Sequence, residues 1–97
     1  MNCSHCGKDI EIRHAIESSI FSWPERKTVW YVCPQCMQGN HIRFDTGMAQ
    51  LIKPLGSPGY EYDVISTVRD STIEIRIDSD FLHIWYMGMH HEIKERA

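Results

Sequence analysis

The chain has 97 residues, of which 42% are hydrophobic and 24% are charged, and its formal net charge is −3. This composition excludes an intrinsically disordered chain, and the length suits one ordinary domain rather than two independent ones. Because so short a chain hides only about 60–65% of the surface that its unfolded form exposes, a bound metal or a partner often supplies the missing stability.

No stretch of the sequence reaches the ~18 uninterrupted apolar residues that a membrane helix needs. The first residues, MNCSHCGKDIEI, also lack the basic region and the apolar core of a secretory signal. We therefore expect a cytoplasmic protein without membrane contact. Thiols stay reduced in that compartment, so the four cysteines are interpreted as metal ligands rather than as disulfide partners.

The first element along the chain is ambiguous between a strand and a helix. Residues 9–14, DIEIRH, alternate apolar and polar side chains as a half-buried strand does. Ile12, Ile16 and Ile20 recur at the spacing of one helix face instead. The secondary structure of residues 10–22 therefore stays open.

A β-hairpin is predicted on the two sides of the second Cys-X-X-Cys motif. Residues 28–32, TVWYV, are dense in β-branched and aromatic side chains, and residues 41–45, HIRFD, alternate apolar and polar side chains. Residues 47–53 fit one or two helical turns, which end at Pro54 because proline cannot continue a helix.

The segment PLGSPG, residues 54–59, is the Pro- and Gly-rich break of the sequence. It separates a cysteine-bearing half from a cysteine-free half, so two subdomains are predicted, residues 1–53 and residues 54–97. The acids are unevenly distributed, since residues 60–97 carry eight acids and four Lys or Arg, whereas residues 1–59 carry five acids and six Lys or Arg.

Three strands are predicted after the break, separated by the turn-rich pieces RDS and DSD: YEYDVISTV, TIEIRI and FLHIWYM. We expect them to form an antiparallel meander. Ile73, Ile75 and Ile77 share one side of the middle strand, which predicts that one face of the sheet is buried and the other is exposed to solvent. Residues 54–97 are too few to bury that face by themselves, and we therefore expect this half to pack on residues 1–53 or on a second copy.

Two Cys-X-X-Cys motifs, CSHC and CPQC, place the cysteines in two close pairs, Cys3 with Cys6 and Cys33 with Cys36. Tetrahedral zinc takes four such ligands, and two thiolates on one tight turn can both reach an ion at ~2.3 Å. Gly7 follows the first pair, where the backbone must turn with positive φ. We therefore predict one structural zinc ion held by these four cysteines.

Catalysis is not expected from this chain. Four cysteine ligands leave no open position on the zinc for a water molecule. The sequence also shows no Ser/His/Asp arrangement, no paired carboxylates and no phosphate-binding loop, so no small-molecule substrate is inferred. We therefore predict that the protein is not an enzyme.

The two motifs resemble those of the zinc-ribbon family, in which two knuckles of the CPXCG type hold a metal at one end of a small antiparallel sheet. The resemblance covers residues 1–53 and implies that the four cysteines are the ligands and that Gly7 is the knuckle glycine. Met37 departs from the pattern, because it stands where the second knuckle prefers glycine. The expected fold class is small and mostly β, a four-cysteine zinc ribbon followed by a three-stranded antiparallel meander.

The segment WYVCPQCMQG is also similar to the WVCPXCG signature of rubredoxins, whose four cysteines hold iron for electron transfer. The aromatic residue that usually follows the first knuckle is missing, since Lys8 and Asp9 stand there. A rubredoxin-like electron carrier is therefore a minor alternative to a zinc protein.

Two surfaces are candidates for binding a macromolecule. Residues in the first half mix cations with aromatic rings, as proteins that bind single-stranded nucleic acids do. The candidates there are Arg26, Lys27, Arg43 and Trp30, near Trp23, Tyr31 and Phe44.

The run FLHIWYMGM in the second half has the composition of an adaptable protein contact, although a strand buried on both faces also fits it. The candidates there are Trp85, Tyr86, Met87 and Met89.

The charge decides between these two surfaces. Four thiolates and one zinc ion bring the formal charge from −3 to −5, which opposes contact with a phosphate backbone. We therefore predict a protein-interaction or regulatory module that binds a protein partner or a second copy. A zinc ribbon that binds nucleic acid, single-stranded or transcription-related, is the alternative.

The histidines suggest no further site. His5, inside the first knuckle, is expected to be exposed, and His41 is expected to be a surface residue beside the second knuckle. His83, His90 and His91 could gather a second metal if the C-terminal tail folded back. The simpler interpretation is that His83 lies at a solvent-exposed strand position and that His90 and His91 lie in a solvated tail.

Overall fold

Strands make up most of the computed structural model, which describes residues 1–56, 61–78 and 81–93. The fold is small and mostly β, as the sequence predicts. The elements in chain order are helix α1 (Ile12–Ser18), strand β1 (Phe21–Trp23), a short 3₁₀ helix (Pro24–Arg26), and strands β2 (Thr28–Val32), β3 (Gly39–Asp45), β4 (Met48–Leu55), β5 (Glu61–Arg69), β6 (Glu74–Asp78), β7 (Phe81–Tyr86) and β8 (Met89–Ile93). Within the described ranges, no helix has the length and the apolar character that crossing a bilayer requires.

The strands form two antiparallel sheets. Strands β1 to β5 lie in sequence order in a five-stranded sheet, and β6 to β8 form a three-stranded sheet. The predicted hairpin is confirmed, because β2 pairs with β3 from the Thr28–Arg43 pair to the Val32–Gly39 pair.

The side chains of the five-stranded sheet alternate between a buried inner face and a partly exposed outer face. Val29, Ile42 and Phe44 point to the inner face and are 0% exposed. Trp30 and His41, one position along their strands, lie on the outer face and are partly exposed. The alternation holds along β2 and β3 and is interrupted in β4, where the register with β5 shifts between Leu51 and Ile52.

One hydrophobic core joins α1 and both sheets. Its members include Ile16 of α1, Phe44 of β3 and Ile84 of β7, and none of these three is more than 1% exposed. Burial of each such side chain contributes roughly 1.5–3 kcal/mol. In the part of the chain that the structure describes, the three-stranded sheet thus packs on the cysteine-bearing half.

The ambiguous residues 10–22 form a short helix followed by a strand. Helix α1 buries Ala15 and Ile16, and β1 follows it and pairs with β2. Ile20 falls after the helix and is 53% exposed, so it does not share the helix face. The sequence did not distinguish these outcomes, because the strand pattern of residues 9–14 and the helix pattern of Ile12, Ile16 and Ile20 overlap at Ile12.

The helical turns predicted for residues 47–53 are wrong, because Gly47 lies in the turn before strand β4 and residues 48–53 lie in the strand itself. Pairing with β3 on one side and β5 on the other satisfies its backbone groups. The register with β3 ends at the His41–Ile52 pair. Pro54 lies beyond that pair, where its missing N–H removes no hydrogen bond to β3.

A three-stranded antiparallel meander is present, but its strands differ from those predicted. The first predicted strand, residues 60–68, joins the five-stranded sheet as β5 and pairs with β4, although residue 60 itself lies outside the described residues. Its place in the meander is taken by β8, in the segment that was expected to be a solvated tail.

The turn after β5 explains this difference. The N–H of Asp70 donates to the carbonyl of Gly47 (3.0 Å), and the N–H of Gly47 donates to the carbonyl of Ile73 (2.9 Å). The chain therefore attaches to the β3–β4 turn and does not reverse along β5. Ile73 is fully buried at this point, whereas Ile77 is 42% exposed, so the predicted dry face does not extend along the whole strand.

The predicted division between residues 53 and 54 falls inside β4. Because β4 and β5 pair with each other, the five-stranded sheet contains residues from both predicted subdomains. Residues 57–59 of the Pro- and Gly-rich break lie outside the described residues, as do residues 79 and 80 of the predicted DSD turn. The division into two subdomains stays a prediction.

Candidate metal centre

The first cysteine pair lies on a tight turn held by two backbone hydrogen bonds. The N–H of Cys3 donates to the carbonyl of Lys8 (2.8 Å), and the N–H of Gly7 donates to the carbonyl of Cys3 (2.9 Å). Gly7 has a φ of 80°, a left-handed conformation that glycine adopts without steric cost. This is the conformation expected for the first knuckle.

The second pair repeats this turn with methionine in the glycine position. The N–H of Cys33 donates to the carbonyl of Gln38 (3.0 Å), and the N–H of Met37 donates to the carbonyl of Cys33 (2.8 Å). Met37 has a φ of 61°, a conformation that costs a residue with a side chain roughly 1–2 kcal/mol. The second knuckle therefore keeps the turn at the expense of backbone strain.

The two knuckles bring the four sulfur atoms together. All four Sγ atoms lie within 4.8 Å of one another. The Cys3–Cys36 and Cys6–Cys33 sulfur pairs are each 3.7 Å apart, too far for a disulfide. A tetrahedral ion with metal–sulfur bonds of ~2.3 Å needs sulfurs about 3.8 Å apart. The four thiols therefore fit one tetrahedral metal ion.

Hydrogen-bond donors surround the buried Cys3 sulfur. Burial raises the pKa of the Cys3 thiol, but the backbone N–H groups of Cys6 and His5 and the side chain of Asn40 bring this pKa down to about 6. The His5 nitrogen lies 3.4 Å from this sulfur. Such donors stabilise a thiolate, which is the form that binds metal.

The second knuckle also directs N–H groups at sulfur. The N–H of Cys36 lowers the pKa of Cys33, burial opposes this, and the N–H of Gln35 adds to the lowering. For Cys36, the N–H of Gln38 lowers the pKa, but burial and hydrogen bonds with the three other thiols raise it to about 12. Binding of a cation would therefore displace the proton of the Cys36 thiol.

Comparison with protein-family models, curated proteins and solved structures found no match for this chain. The assignment of the site therefore rests on its geometry. Four cysteines lie close enough together to hold a metal ion, which is consistent with a site of the zinc-ribbon kind.

Asn40, which sequence reasoning missed, ties the two knuckles together. Its amide nitrogen donates to Cys3 Sγ (3.5 Å) and to the carbonyl of Gln38 (3.3 Å). Its amide oxygen accepts from the N–H and the hydroxyl of Ser4, both at 3.2 Å. The predicted strand began at residue 41, so Asn40 fell outside it, whereas β3 begins at Gly39 and Asn40 shares the buried face of Ile42.

We expect Asn40→Ala to weaken metal binding by the four-cysteine group about 10- to 100-fold, because Cys3 and its turn lose their orienting partner. Competition with a chromophoric chelator measures the affinity. Gln38→Ala is the matched control, since it removes an exposed amide side chain and leaves the backbone carbonyl in place. Equal affinities in the two variants would contradict the role of Asn40.

The predicted nucleic-acid residues Lys27 and Arg43 share one carboxylate. Their nitrogens lie 3.5 and 2.8 Å from oxygens of Asp45. Burial raises the pKa of Asp45, but the N–H of Thr46 and the two cations hold this pKa below its usual range. Two cations therefore share one anionic partner, and the three groups keep one net positive charge.

The aromatic residues named with these cations divide between two environments. Tyr31 and Phe44 are at most 2% exposed and belong to the core, so they offer no ring to a ligand. Trp23 and Trp30 lie on the outer face and are partly exposed. Only this second pair could stack on a ligand.

The predicted protein-contact residues do not share one face. Trp85 stacks on His90 with ring centroids 4.6 Å apart, and Tyr86 packs against the core. Met87 lies in the β7–β8 turn and is 60% exposed, and Met89 is 47% exposed. The two methionines are therefore the accessible members of this group.

The histidines form no second metal cluster in the described ranges. Because β8 pairs with β7, His83 Nδ1 lies 2.8 Å from His90 Nε2. Among the described residues, the cysteines are the one group of three or more His, Cys, Asp or Glu that could hold a metal. His5 is exposed, as expected, and its Nε2 lies 3.0 Å from the carbonyl of Gly39.

Proposed function

We propose that Cys3, Cys6, Cys33 and Cys36 bind one structural zinc ion and that the protein works as a metal-stabilised binding module. The observation that carries the proposal is the 3.7 Å spacing of the two sulfur pairs, close to the edge of a zinc–thiolate tetrahedron. The zinc would hold the first knuckle, which precedes α1, against the start of β3. This ties the N-terminus of the chain to the middle of the five-stranded sheet.

Zinc is favoured over iron by the departures from the rubredoxin pattern at Lys8 and Asp9. The test is elemental analysis of purified protein together with its absorption spectrum. One zinc per chain and no absorption in the visible region is the expected result. Stoichiometric iron with a visible ferric thiolate band would overturn the assignment of zinc.

The proposed role is non-catalytic. Four cysteine ligands would complete the coordination of the ion, so no position is left for a substrate or for an activated water molecule. The donors around Cys3 and Cys33 stabilise thiolates, which suits a closed structural site.

The proposed partner is another protein, bound around the β7–β8 turn. Met87 and Met89 support this, because exposed methionine side chains adapt to apolar partner surfaces. Arg13 of α1 donates to Met89 Sδ (3.5 Å), so the helix borders the same surface.

Met87→Glu is expected to abolish this contact, because it would place a carboxylate in an apolar interface. Crosslinking in the native cell, followed by identification of the crosslinked protein, measures partner binding. Sedimentation over a range of concentrations measures association of identical copies. Ile77→Glu, at a residue 42% exposed in the same sheet, is the control and should leave both results unchanged. A concentration-independent monomer whose crosslinks are the same in both variants would contradict the proposal.

A further inference from the structure

The outer face of the five-stranded sheet carries an apolar and aromatic row that crosses every strand. The register places Phe21 opposite Trp30, Trp30 opposite His41, His41 opposite Ile52, and Ile52 opposite Val64. Each strand therefore contributes one side chain to the row. Ile52 is only 6% exposed, whereas Val64 is 48% exposed and the three aromatic members are partly exposed, so the row is accessible at both ends.

At one end of this row, four rings form what we call the aromatic platform: Phe21, Trp23, Trp30 and His41. The His41 ring lies 5.0 Å from Trp23 and 4.9 Å from Trp30, centroid to centroid. Phe21 lies parallel to Trp30, with an angle of 6° between the rings and 6.1 Å between centroids. All four side chains are partly exposed. The rings thus pack on one another and still offer surface to a ligand.

Gly39 fixes the position of the central ring. A Cβ atom at this residue would lie 1.9 Å from Trp30 Cζ2, so the indole lies directly against the glycine backbone. This contact holds Trp30 in one orientation before any ligand arrives. A ring that is already ordered loses little conformational entropy on binding.

A groove continues from the platform. It has a volume of about 440 Å³, and its lining includes Trp30, His41, Ile52, Ile65 and Lys53. The groove therefore combines aromatic and aliphatic walls with one ammonium group. This combination suits a planar aromatic group that carries a negative charge nearby.

The charge near the platform is positive, unlike that of the whole chain. Among the described strand residues of the outer face, Arg43 and Arg69 are cations and Asp45 is the one carboxylate. Lys27, in the turn before β2, shares Asp45 with Arg43, so these three groups sum to one positive charge. Most of the acids lie in residues 60–97. Two of these acids, Glu61 and Asp63, lie on β5 of this sheet, and Asp63 pairs with Lys53 in the register. The other described acids of that range, Asp70, Glu74, Asp78 and Glu92, lie outside the five-stranded sheet.

We propose that the outer face of the five-stranded sheet binds single-stranded nucleic acid, with bases stacked on the aromatic platform and phosphates near Lys53 and Arg43. Unpaired bases fit this surface because their faces are free to stack on protein rings, whereas the faces in a duplex are covered by neighbouring bases. The inference goes beyond the proposed protein contact and uses a different sheet. With two or three phosphate contacts, the slope of log affinity against log salt is expected to be about −1.4 to −2.1.

The first experiment leaves the platform intact. Of the three tryptophans in the chain, Trp23 and Trp30 lie in the platform, so a Trp85→Phe variant reports on the platform alone. Unlabelled oligothymidylate of about 15 nucleotides, which spans a typical single-strand site, and its RNA counterpart should quench this fluorescence saturably, and a duplex of the same length should not. No quenching by either single strand at low salt would overturn the proposal.

The second experiment measures affinity with fluorescein-labelled oligothymidylate by anisotropy. Trp23→Leu should weaken binding about 5- to 150-fold, the effect of losing one stacked base. Trp85→Leu removes a partly exposed tryptophan from the other sheet, and its affinity should stay within about twofold of that of the wild type. Lys53→Gln should make the salt slope shallower by about 0.7, whereas Arg76→Gln should not change it.

Zinc content and sedimentation are measured on the same samples, so failure of the metal assignment is distinguished from failure of this inference. Binding that is equal in Trp23→Leu and Trp85→Leu would overturn the proposal. It is also overturned if the wild type forms a dimer that Trp23→Leu dissociates, because the platform would then be an interface between copies.

Discussion

Removal of the metal is expected to unfold the protein. A structural zinc site contributes an apparent ~10–16 kcal/mol, whereas a folded domain has a net stability of only ~5–15 kcal/mol. Cys3 and Cys33 belong to the hydrophobic core as well as to the site, so loss of the ion also disturbs core packing. Far-UV circular dichroism and tryptophan fluorescence, followed during titration with a strong chelator and then with zinc, measure the transition and its reversal.

Cys33→Ser should unfold the protein without a chelator, because it removes one of the four thiolates and leaves only three to hold the ion. His5→Ala is the matched control, since His5 lies inside the first knuckle and bonds to the Gly39 carbonyl without belonging to the ligand set. This variant should keep one zinc ion and most of its stability. A chain that stays fully folded after exhaustive chelation would remove the basis of the structural role.

Ile84→Ala is expected to lower the free energy of unfolding by about 2–5 kcal/mol, because it leaves a cavity in the core shared by the two sheets. Ile84 is 0% exposed and lies in the same buried cluster as Cys3 and Phe44. Chemical denaturation of the zinc-loaded protein, followed by circular dichroism and by zinc release, measures the loss. Both signals should move together to lower denaturant concentration.

Ile77→Ala is the control for this substitution. It removes the same atoms from the same sheet, but Ile77 is 42% exposed. Its truncation should therefore lower the free energy of unfolding by less than about 1 kcal/mol. If Ile84→Ala shifted circular dichroism and left zinc release unchanged, the three-stranded sheet would be a separate folding unit. That result would favour the predicted division into two subdomains.

Local sequence was sufficient for elements whose side chains have one clear pattern. Residues 28–32 could be assigned to a strand because β-branched and aromatic side chains dominate them and the second cysteine pair follows directly. Residues 10–22 could not be assigned, because a strand pattern over residues 9–14 overlaps a helix pattern of Ile12, Ile16 and Ile20. Residues 47–53 were assigned incorrectly, because short-range propensity does not include the two neighbouring strands that pair with β4.

The residues of the site likewise fall into those that the local sequence identifies and those that only the fold brings together. The spacing within each Cys-X-X-Cys motif is local, so the proposed ligands could be named from it. Asn40 was missed because its partners Ser4 and Cys3 are distant in the chain. The aromatic platform was found only in part, since Trp30 was named, while Phe21 and His41 join it through the register of three strands.

The sequence alone determined the thiol chemistry, the mostly-β character and the uneven charge of this protein, because each depends on residue type or on spacing over a few positions. The tertiary structure decided which strands share a sheet, which side chains meet at the outer face, and which histidines pair. These outcomes depend on strand register, and register is set by contacts between residues that are far apart in the chain.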